Sequence, residues 1–418
     1  MNIEDILDKL KVNCTELTKL NIKEVDSSSA QRLAEALKTN TVLSDLKLDT
    51  NNITDHDLND IAEALTSNSA LTTLTITGND GSYYNIGPEG ATILATALNL
   101  NTTLRELDLS SNNLGDDGVI GLYNAFSSNS SLKMLDLSEN SIGPDGALVI
   151  AKQLNKKLAL TNLILDYNDI GDDGFKELAK ALEVNTILRK LSLFGPEPFE
   201  PDENYQEEAI QDDEYYPQEG ILELAKALTV NTTLDELNLA RNMISNTTAT
   251  KIADALFVNT TLTAIGLGYN SIGNIGASKI SEALQTNSTL KTLELHNNKI
   301  EEMAGYYLAR ALLTNITLTD LTLDKNDIED SEEITKTICD ATFENEELEE
   351  LANCSTHQEK RIAFLMGSNP KFEKEGGTCN IKGLPNDVLK MILNPSRSPE
   401  IGRNLNTISL QNPSQLER

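Results

Sequence analysis

The chain has 418 residues, 39% of them hydrophobic, and its 34 basic and 65 acidic residues give a formal net charge of -31. This charge disfavours nucleic acid and membrane partners, because phosphate backbones and anionic lipids are repelled. No run of about 18 apolar residues predicts a membrane span. A protein partner with a basic surface is the expected ligand, although such a charge also serves solubility alone.

The N-terminal sequence interleaves acidic and apolar residues and lacks the basic start and apolar run of a secretory signal. The four cysteines, Cys14, Cys339, Cys354 and Cys379, form no CxxC pair. That usage favours reduced thiols, and therefore a cytoplasmic location. We expect residues 1–16 to form an N-terminal helical cap.

Residues 17–348 carry a repeated pattern, L-x-x-L-x-L-x-x-N-x-I/L, whose usual period is 28 residues. A weaker copy begins at Leu17, and the pattern then begins at Leu43, Leu71, Leu104, Leu132, Leu160, Leu188, Leu234, Leu262, Leu290 and Leu318. A fixed period of this size predicts a solenoid rather than separate globular domains.

Each repeat has two halves that predict different elements. The L-x-L segment, as in Leu107 to Leu109, alternates with period two and predicts a short strand. The second half, as in residues 172–182, has helical spacing, and Asp172 or Asp173 is expected to cap its own helix. Because a helix returns the chain to a parallel strand, we predict an α/β horseshoe with a parallel sheet on the concave face and helices on the convex face.

Two asparagines recur in register with the leucines. The first follows each strand, where a buried amide can bond backbone groups that have left the sheet. These residues are Asn51, Asn79, Asn112, Asn140, Asn168, Asn242, Asn270, Asn298 and Asn326, with Pro196 interrupting the series. The second follows each helix, as at Asn68 and Asn185, and is expected to end the helix in a left-handed conformation.

These motifs, together with the segment A-L-x-x-N-T-T-L at 97–104, 227–234 and 255–262, resemble leucine-rich repeats of the ribonuclease-inhibitor type. The resemblance implies a horseshoe that binds other proteins on its concave sheet and loop edges. The Ran GTPase-activating protein, tropomodulins and nucleotide-sensing immune receptors carry the same repeat subtype. In its composition the chain also resembles leucine-rich repeat effectors of intracellular bacteria such as Legionella.

Two insertions interrupt the period. The first lies near residues 78–87 and contains Tyr83 and Tyr84. The second, at about 194–220, has ten acidic residues, no basic residue and four prolines, a composition that cannot build a core. It is either a solvated loop or a contact arm whose tyrosines anchor a partner while its acids steer a basic surface.

After residue 348 the repeat pattern ends. Residues 331–393 have helical patterns, with candidate helices at 333–343 and 356–366. We expect a helical C-terminal cap over 349–393 that shields the last repeat, and a disordered tail over 394–418. Residues 383–393 resemble the opening of an F-box helix, but Pro395 and Pro399 follow at once. In a secreted effector, such a tail can instead carry an export signal.

The sequence offers no constellation for catalysis or metal binding. The histidines are His56, His296 and His357, and none pairs with a cysteine or serine in an evident triad. No phosphate-binding or dinucleotide-binding motif and no zinc spacing occurs. We therefore expect a non-enzymatic protein with no catalytic residue, no metal and no cofactor.

The candidate site is a protein-binding surface on the concave face. Apolar or aromatic side chains stand there where polar ones would be usual, so they are anchor candidates, unless they only pack on the acidic insertion. Acidic residues on the same face would steer a basic partner. Glu294 is expected on this face as well. The predicted contact residues are Met134, Ile164, Tyr167, Phe194, Tyr205, Tyr215, Tyr216, Arg241, Tyr269, His296, Asp108, Asp136 and Asp166.

These observations predict a monomeric scaffold that binds a partner protein. If the protein is a bacterial effector, it would act in the host cell cytosol after secretion. The alternatives are a regulator of a small GTPase or of actin, and a ubiquitin-ligase adaptor acting through residues 384–393.

Overall fold

Eleven strands form one parallel sheet in the part of the chain that the structure describes. This structure is a computed structural model. It describes residues 3–23, 25–49, 53–78, 86–156, 159–196, 218–328, 334, 336–343 and 345, with the backbone alone over 123–128. The strands are β1 Lys19–Ile22, β2 Asp45–Asp49, β3 Thr73–Thr77, β4 Glu106–Asp108, β5 Met134–Asp136, β6 Asn162–Ile164, β7 Lys190–Ser192, β8 Glu236–Asn238, β9 Ala264–Gly266, β10 Thr292–Glu294 and β11 Asp320–Thr322.

Helices alternate with these strands. They are α1 Ile3–Lys11, α2 Ser27–Leu37, α3 Leu58–Ser67, α4 Pro88–Leu98, α5 Gly115–Ser128, α6 Pro144–Leu154, α7 Gly171–Val184, α8 Glu219–Leu228, α9 Asn246–Leu256, α10 Asn274–Leu284 and α11 Glu302–Leu312, with a 3-10 turn at Asp55–Asp57 before α3. The predicted alternation of strand and helix is confirmed.

The strands pair in chain order from β1 to β11, every pair in parallel. The consensus leucines point into the core between sheet and helices, and Leu104, Leu107, Leu109 and Leu114 are inaccessible to solvent. Eleven strands at about 4.8 Å spacing give an inner arc of about 50 Å. That length can accommodate a globular partner.

The asparagine ladder after the strands is confirmed for its described members. Asn140, for example, donates from Nδ2 to the carbonyl of Leu109 at 2.8 Å, and its own backbone N–H donates to Oδ1 of Asn168 at 3.0 Å. Each amide therefore joins neighbouring repeats and satisfies backbone groups outside the sheet. Asn51 and Asn79 lie outside the described residues.

The second asparagines do not end their helices as expected. Asn68 and Asn185 have extended backbones, with φ/ψ of -71°/128° and -74°/131°. The expected left-handed conformation is therefore wrong at these residues. Their amides face inward instead: Nδ2 of Asn185 donates to the Leu154 carbonyl of the preceding helix, and Oδ1 accepts from the Leu188 N–H. They form a second ladder, which joins helix ends.

The predicted helix cap is also wrong at α7. Its N-cap is Ile170, with no side-chain cap hydrogen bond. Asp172 accepts instead from the N–H of Gly220, at the start of the next helix, at 2.6 Å. Asp116 of α5 caps α6 in the same way, accepting from the N–H groups of Gly143 and Gly146 at 2.7 and 2.9 Å.

Capping between repeats explains the glycines that open several helices. A Cβ atom on Gly146 would lie 2.5 Å from Oδ1 of Asp116. A side chain there would displace the carboxylate from the two N–H groups that it caps. The same arrangement links Asn246 of α9 to the start of α10 at Gly273.

At the N-terminus, helix α1 lies inside the predicted cap of residues 1–16, with Ile6, Leu7 and Leu10 buried. At the other end, residues 336–343 are helical, and Ile338 and Ala341 are buried. The insertion residues 79–85 and 197–217, the predicted C-terminal cap over 349–393 and the predicted tail lie outside the described residues.

Candidate protein-binding surface

The strand register arranges the outward residues of the sheet in rows. Each residue between two strand leucines faces away from the core and pairs with its counterpart on the next strand. One row reads Thr75, Asp108, Asp136, Ile164, Ser192, Asn238, Gly266, Glu294 and Thr322. Thr75, Asp108 and Asp136 precede Ile164 in this row, and the smaller Ser192, Asn238 and Gly266 follow it before Glu294.

A sharp turn at the carboxyl end of each strand places a second set of side chains at the sheet edge. The residue before each ladder asparagine has a left-handed backbone, with φ of 56° at Tyr167, 60° at Arg241 and 54° at Tyr269. This conformation costs an L-residue about 1–2 kcal/mol. Ser111 and Glu139 adopt it too, so the turn belongs to the repeat rather than to the aromatic residues.

Four of the predicted contact residues form a continuous aromatic row along this edge. The ring centroids of Tyr167 and Phe194 are 4.9 Å apart, and those of Phe194 and Tyr269 are 6.2 Å apart. The rings of Tyr269 and His296 meet edge to face at 5.1 Å, and Arg241 places its guanidinium carbon 6.0 Å from the centre of the Tyr269 ring. We call Tyr167, Phe194, Tyr269 and His296 the aromatic row.

The row is partly exposed. Tyr167 is 39% and Tyr269 is 43% accessible, whereas Phe194 and His296 are half-buried. Aromatic side chains that are held by their neighbours and still reach solvent can bury a large apolar area on binding. The rings of the aromatic row are therefore accessible enough to contact another molecule.

Contacts with neighbouring repeats hold the aromatic row in place. The N–H of Phe194 donates to Oδ1 of Asp166 at 2.9 Å, and Nδ1 of His296 lies 3.2 Å from Oγ1 of Thr322. The His296 ring lies on bare backbone, since a Cβ atom on Gly268 would come within 2.6 Å of its Cε1 atom. A larger residue at Gly268 would push this ring away from Tyr269.

Beside the aromatic row, strands β6 to β10 enclose a depression of about 300 Å³, which we call the central groove. Its walls include Ile164, Ser192, Asn238, Gly266 and Glu294. Sequence reasoning missed Ser192, Asn238 and Gly266, because small residues drew no attention as ligands. The signal that could have indicated the groove was the change from charged to small residues along the outward row of the strands.

Two of the three predicted acids, Asp108 and Asp136, lie on neighbouring strands and build turns, whereas Asp166 follows β6 and bonds to Phe194. Oδ1 of Asp108 accepts from the Ser110 N–H, and Oδ1 of Asp136 accepts from the Ser138 N–H, each at 2.9 Å. Burial raises the pKa of the Asp136 and Asp166 carboxyls above the usual value, with repulsion from Asp108 and Asp166 adding to the effect at Asp136. These acids therefore have structural contacts besides the predicted steering.

The remaining predicted residues differ in their relation to the aromatic row. Ile164 lines the central groove, whereas Met134, half-buried on β5, is not among the groove residues. Arg241 and Asp166 join the row through the contacts already given. Tyr205, Tyr215 and Tyr216 lie outside the described residues, and so does His357.

Within the described residues, no group of three or more histidine, cysteine, aspartate or glutamate side chains could hold a metal ion. Cys14 and Cys339 are free thiols there. None of the helices described is both long and apolar enough to span a bilayer.

Known proteins share the repeat. The Leucine Rich repeat family matches residues 100–122, 128–151, 159–179 and 258–281. No curated protein sequence matches the chain significantly. Among solved structures, an internalin from Listeria monocytogenes is similar over 80% of this chain and 91% of its own, at 20% identity and a TM-score of 0.41.

Two further solved structures are similar to shorter parts of the chain. Leiomodin-1 actin-binding site 2 matches 53% of this chain and 97% of its own, at 19% identity and a TM-score of 0.35. The tropomodulin C-terminal domain of Caenorhabditis elegans matches 37% and 93%, at 18% identity and a TM-score of 0.32. The repeat matches and the eleven-stranded parallel sheet show that the chain folds as a leucine-rich repeat solenoid.

Proposed function

We propose that this protein is a non-enzymatic scaffold that binds a partner protein through the aromatic row and the central groove. The observation that carries the proposal is the row itself: ring contacts join Tyr167, Phe194, Tyr269 and His296 in one partly exposed strip. Interfaces draw most of their affinity from a few clustered aromatic and arginine residues. Arg241 against Tyr269 adds such a residue.

The acidic insertion is proposed as a contact arm next to the same strip. The chain enters it directly after Phe194, and Gly195 lies so close to the Arg241 backbone that a Cβ atom there would be 1.9 Å from the Arg241 carbonyl oxygen. The insertion therefore starts between the rings of the row. From there Tyr205, Tyr215 and Tyr216 would add contact area, and the acids would attract a basic surface.

The net charge of -31 supports a partner with a basic surface and disfavours association of the protein with itself. We propose a monomer in a cytoplasmic compartment, consistent with the free thiols of Cys14 and Cys339. The 28-residue period supports the ribonuclease-inhibitor subtype. More specifically, we propose that the protein is a bacterial effector that binds its partner in the cytosol of a host cell.

The test is affinity capture from a eukaryotic cell lysate with mass spectrometry, comparing the wild-type protein with Tyr167→Ala/Phe194→Ala/Tyr269→Ala. A matched control removes three exposed aromatic residues elsewhere, Phe257→Ala/Tyr306→Ala/Tyr307→Ala. Proteins retained by the wild type and the control, but lost from the first variant, are the expected result. Equal retention by all three proteins would refute the proposed surface.

The identity of the captured protein also decides among the functional classes. A small GTPase, actin or a ubiquitin-ligase scaffold would select the corresponding alternative. For a GTPase, the rate of GTP hydrolysis with and without this protein separates a regulator from a simple binder.

A further inference from the structure

The floor of the central groove presents hydrogen-bond acceptors. Gly266 has no side chain, and a Cβ atom placed on it would lie 2.6 Å from Oδ1 of Asn238 and 3.2 Å from Oε2 of Glu294. Two oxygen atoms from neighbouring strands therefore converge above one glycine. The amide nitrogen of Asn238 points elsewhere, since it donates to Oγ of Ser192 at 3.1 Å.

The charge in the groove is not balanced. Lys190 forms an ion pair with Glu236 at 2.6 Å, so these two wall residues compensate each other. Glu294 is half-buried, and its carboxylate accepts no hydrogen bond and forms no ion pair within the part of the chain that the structure describes. The groove consequently holds one uncompensated negative charge beside the aromatic row.

We propose that the central groove binds an arginine side chain on an extended basic segment of the partner, an inference that rests on the proposed function. A guanidinium group carries five N–H donors in a planar fork, which can bond a carboxylate and a second acceptor together. Glu294 offers the carboxylate, and Oδ1 of Asn238, which accepts from the Ala240 N–H at 3.0 Å, keeps a second lone pair for the other bond. His296 follows Glu294 by two residues in the chain, and the aromatic row to which it belongs provides ring faces on which arginine can stack.

The dimensions of the groove fit an extended segment. It crosses the five strands from β6 to β10, which are separated by four spacings of about 4.8 Å, or about 19 Å in total. An extended chain covers that distance in about six residues. Arginine at alternate positions would point to the floor, and the intervening residues would face away.

The inference predicts discrimination between arginine and its neutral isostere. The probe is the labelled peptide acetyl-(Arg-Ser)₄-Arg-amide, compared with the same peptide carrying citrulline in place of arginine, at about 0.15 M salt. Fluorescence anisotropy should show binding of the arginine peptide at least about tenfold tighter, since citrulline cannot form the charge-assisted bond to Glu294.

Variants place the effect in the groove. Glu294→Gln should weaken binding of the arginine peptide about tenfold or more. The matched control Glu106→Gln removes the same charge from an exposed residue of β4, outside the groove, and should change binding less than about twofold. Circular dichroism verifies that both variants are folded.

Failure of this inference and failure of the proposed function are distinguishable. If the two peptides bind equally or not at all, or if Glu294→Gln behaves like Glu106→Gln, the arginine site is refuted. The proposed function survives that result if the captured partner still depends on Tyr167, Phe194 and Tyr269. If the triple alanine variant retains the captured partner as the wild type does, the proposed function is refuted, whatever the result with the peptides.

Discussion

Replacement of Asn168 by alanine should destabilise the solenoid more than any change on its surface. Nδ2 of Asn168 donates to the carbonyls of Leu137 and Leu165 at 2.9 and 3.0 Å, and Oδ1 accepts from the N–H groups of Asn140 and Ile142 at 3.0 and 2.9 Å. These four backbone groups have no other hydrogen bond among the described residues. Alanine leaves them all unpaired in a buried turn.

The expected loss follows from those four groups. An unsatisfied buried donor or acceptor costs about 1–3 kcal/mol, with the lower value where water reaches the site. Taking about 1 kcal/mol for each group, since the truncated side chain leaves room for a water molecule, gives a loss of about 4 kcal/mol. That is a large part of the about 5–15 kcal/mol by which a folded protein is usually stable.

Urea denaturation followed by far-UV circular dichroism measures the loss. Asp169→Ala, at the exposed neighbour in the same turn, is the control and should change stability by less than about 0.5 kcal/mol. Because a repeat protein can unfold in part, hydrogen exchange by mass spectrometry should show faster exchange of the amides of Asn140 and Ile142. If Asn168→Ala were within about 1 kcal/mol of Asp169→Ala, the structural role of the ladder would be refuted.

Three further predictions concern acids and turns. Because burial raises the pKa of Asp136, its charged form is disfavoured in the fold, and stability falls as the pH rises through that raised pKa. Asp136→Asn should therefore be more stable than the wild type at pH 7 and equal to it near pH 3, as denaturation at both pH values would show. Asp116→Ala should lower the free energy of unfolding by about 1–2 kcal/mol, because the cap on α6 is lost. The control Asp117→Ala, in the same first turn, should lose less than half of that. Equal losses would contradict capping between repeats. Tyr269→Gly should be more stable than Tyr269→Ala by about 1 kcal/mol, because only glycine adopts its left-handed backbone without strain, and thermal unfolding of the two variants compares them directly.

The sequence was sufficient to predict the architecture because each repeat carries its own strand, turn and helix signals. It was insufficient for contacts between repeats. Asp172 looks like a cap for its own helix, but the offset between stacked helices brings it to the N–H of Gly220, distant in sequence. Asn185 likewise follows a helix and suggests a left-handed end, yet the carbonyl of Leu154 in the preceding repeat holds its amide in the core.

The candidate site was predictable to the extent that it consists of unusual residues. Tyr167 and Phe194 stand out because aromatic side chains replace the usual polar ones. The central groove did not stand out, since Gly266 contributes to it by lacking a side chain. A depression forms where small residues of adjacent strands lie side by side. Which residues lie side by side follows from the sheet register, and the register is known only when all strands are aligned.

The left-handed residue that precedes each ladder asparagine offers a practical route to new specificities. The fold already accepts serine, glutamate, tyrosine, arginine, asparagine and lysine there, at Ser111, Glu139, Tyr167, Arg241, Tyr269, Asn297 and Lys325. All seven residues have φ between 51° and 60° whichever of these side chains is present, and the ladder beneath them stays the same. A library randomised at these seven sites alone would vary the chemistry of the sheet edge repeat by repeat while leaving the hydrophobic interior intact.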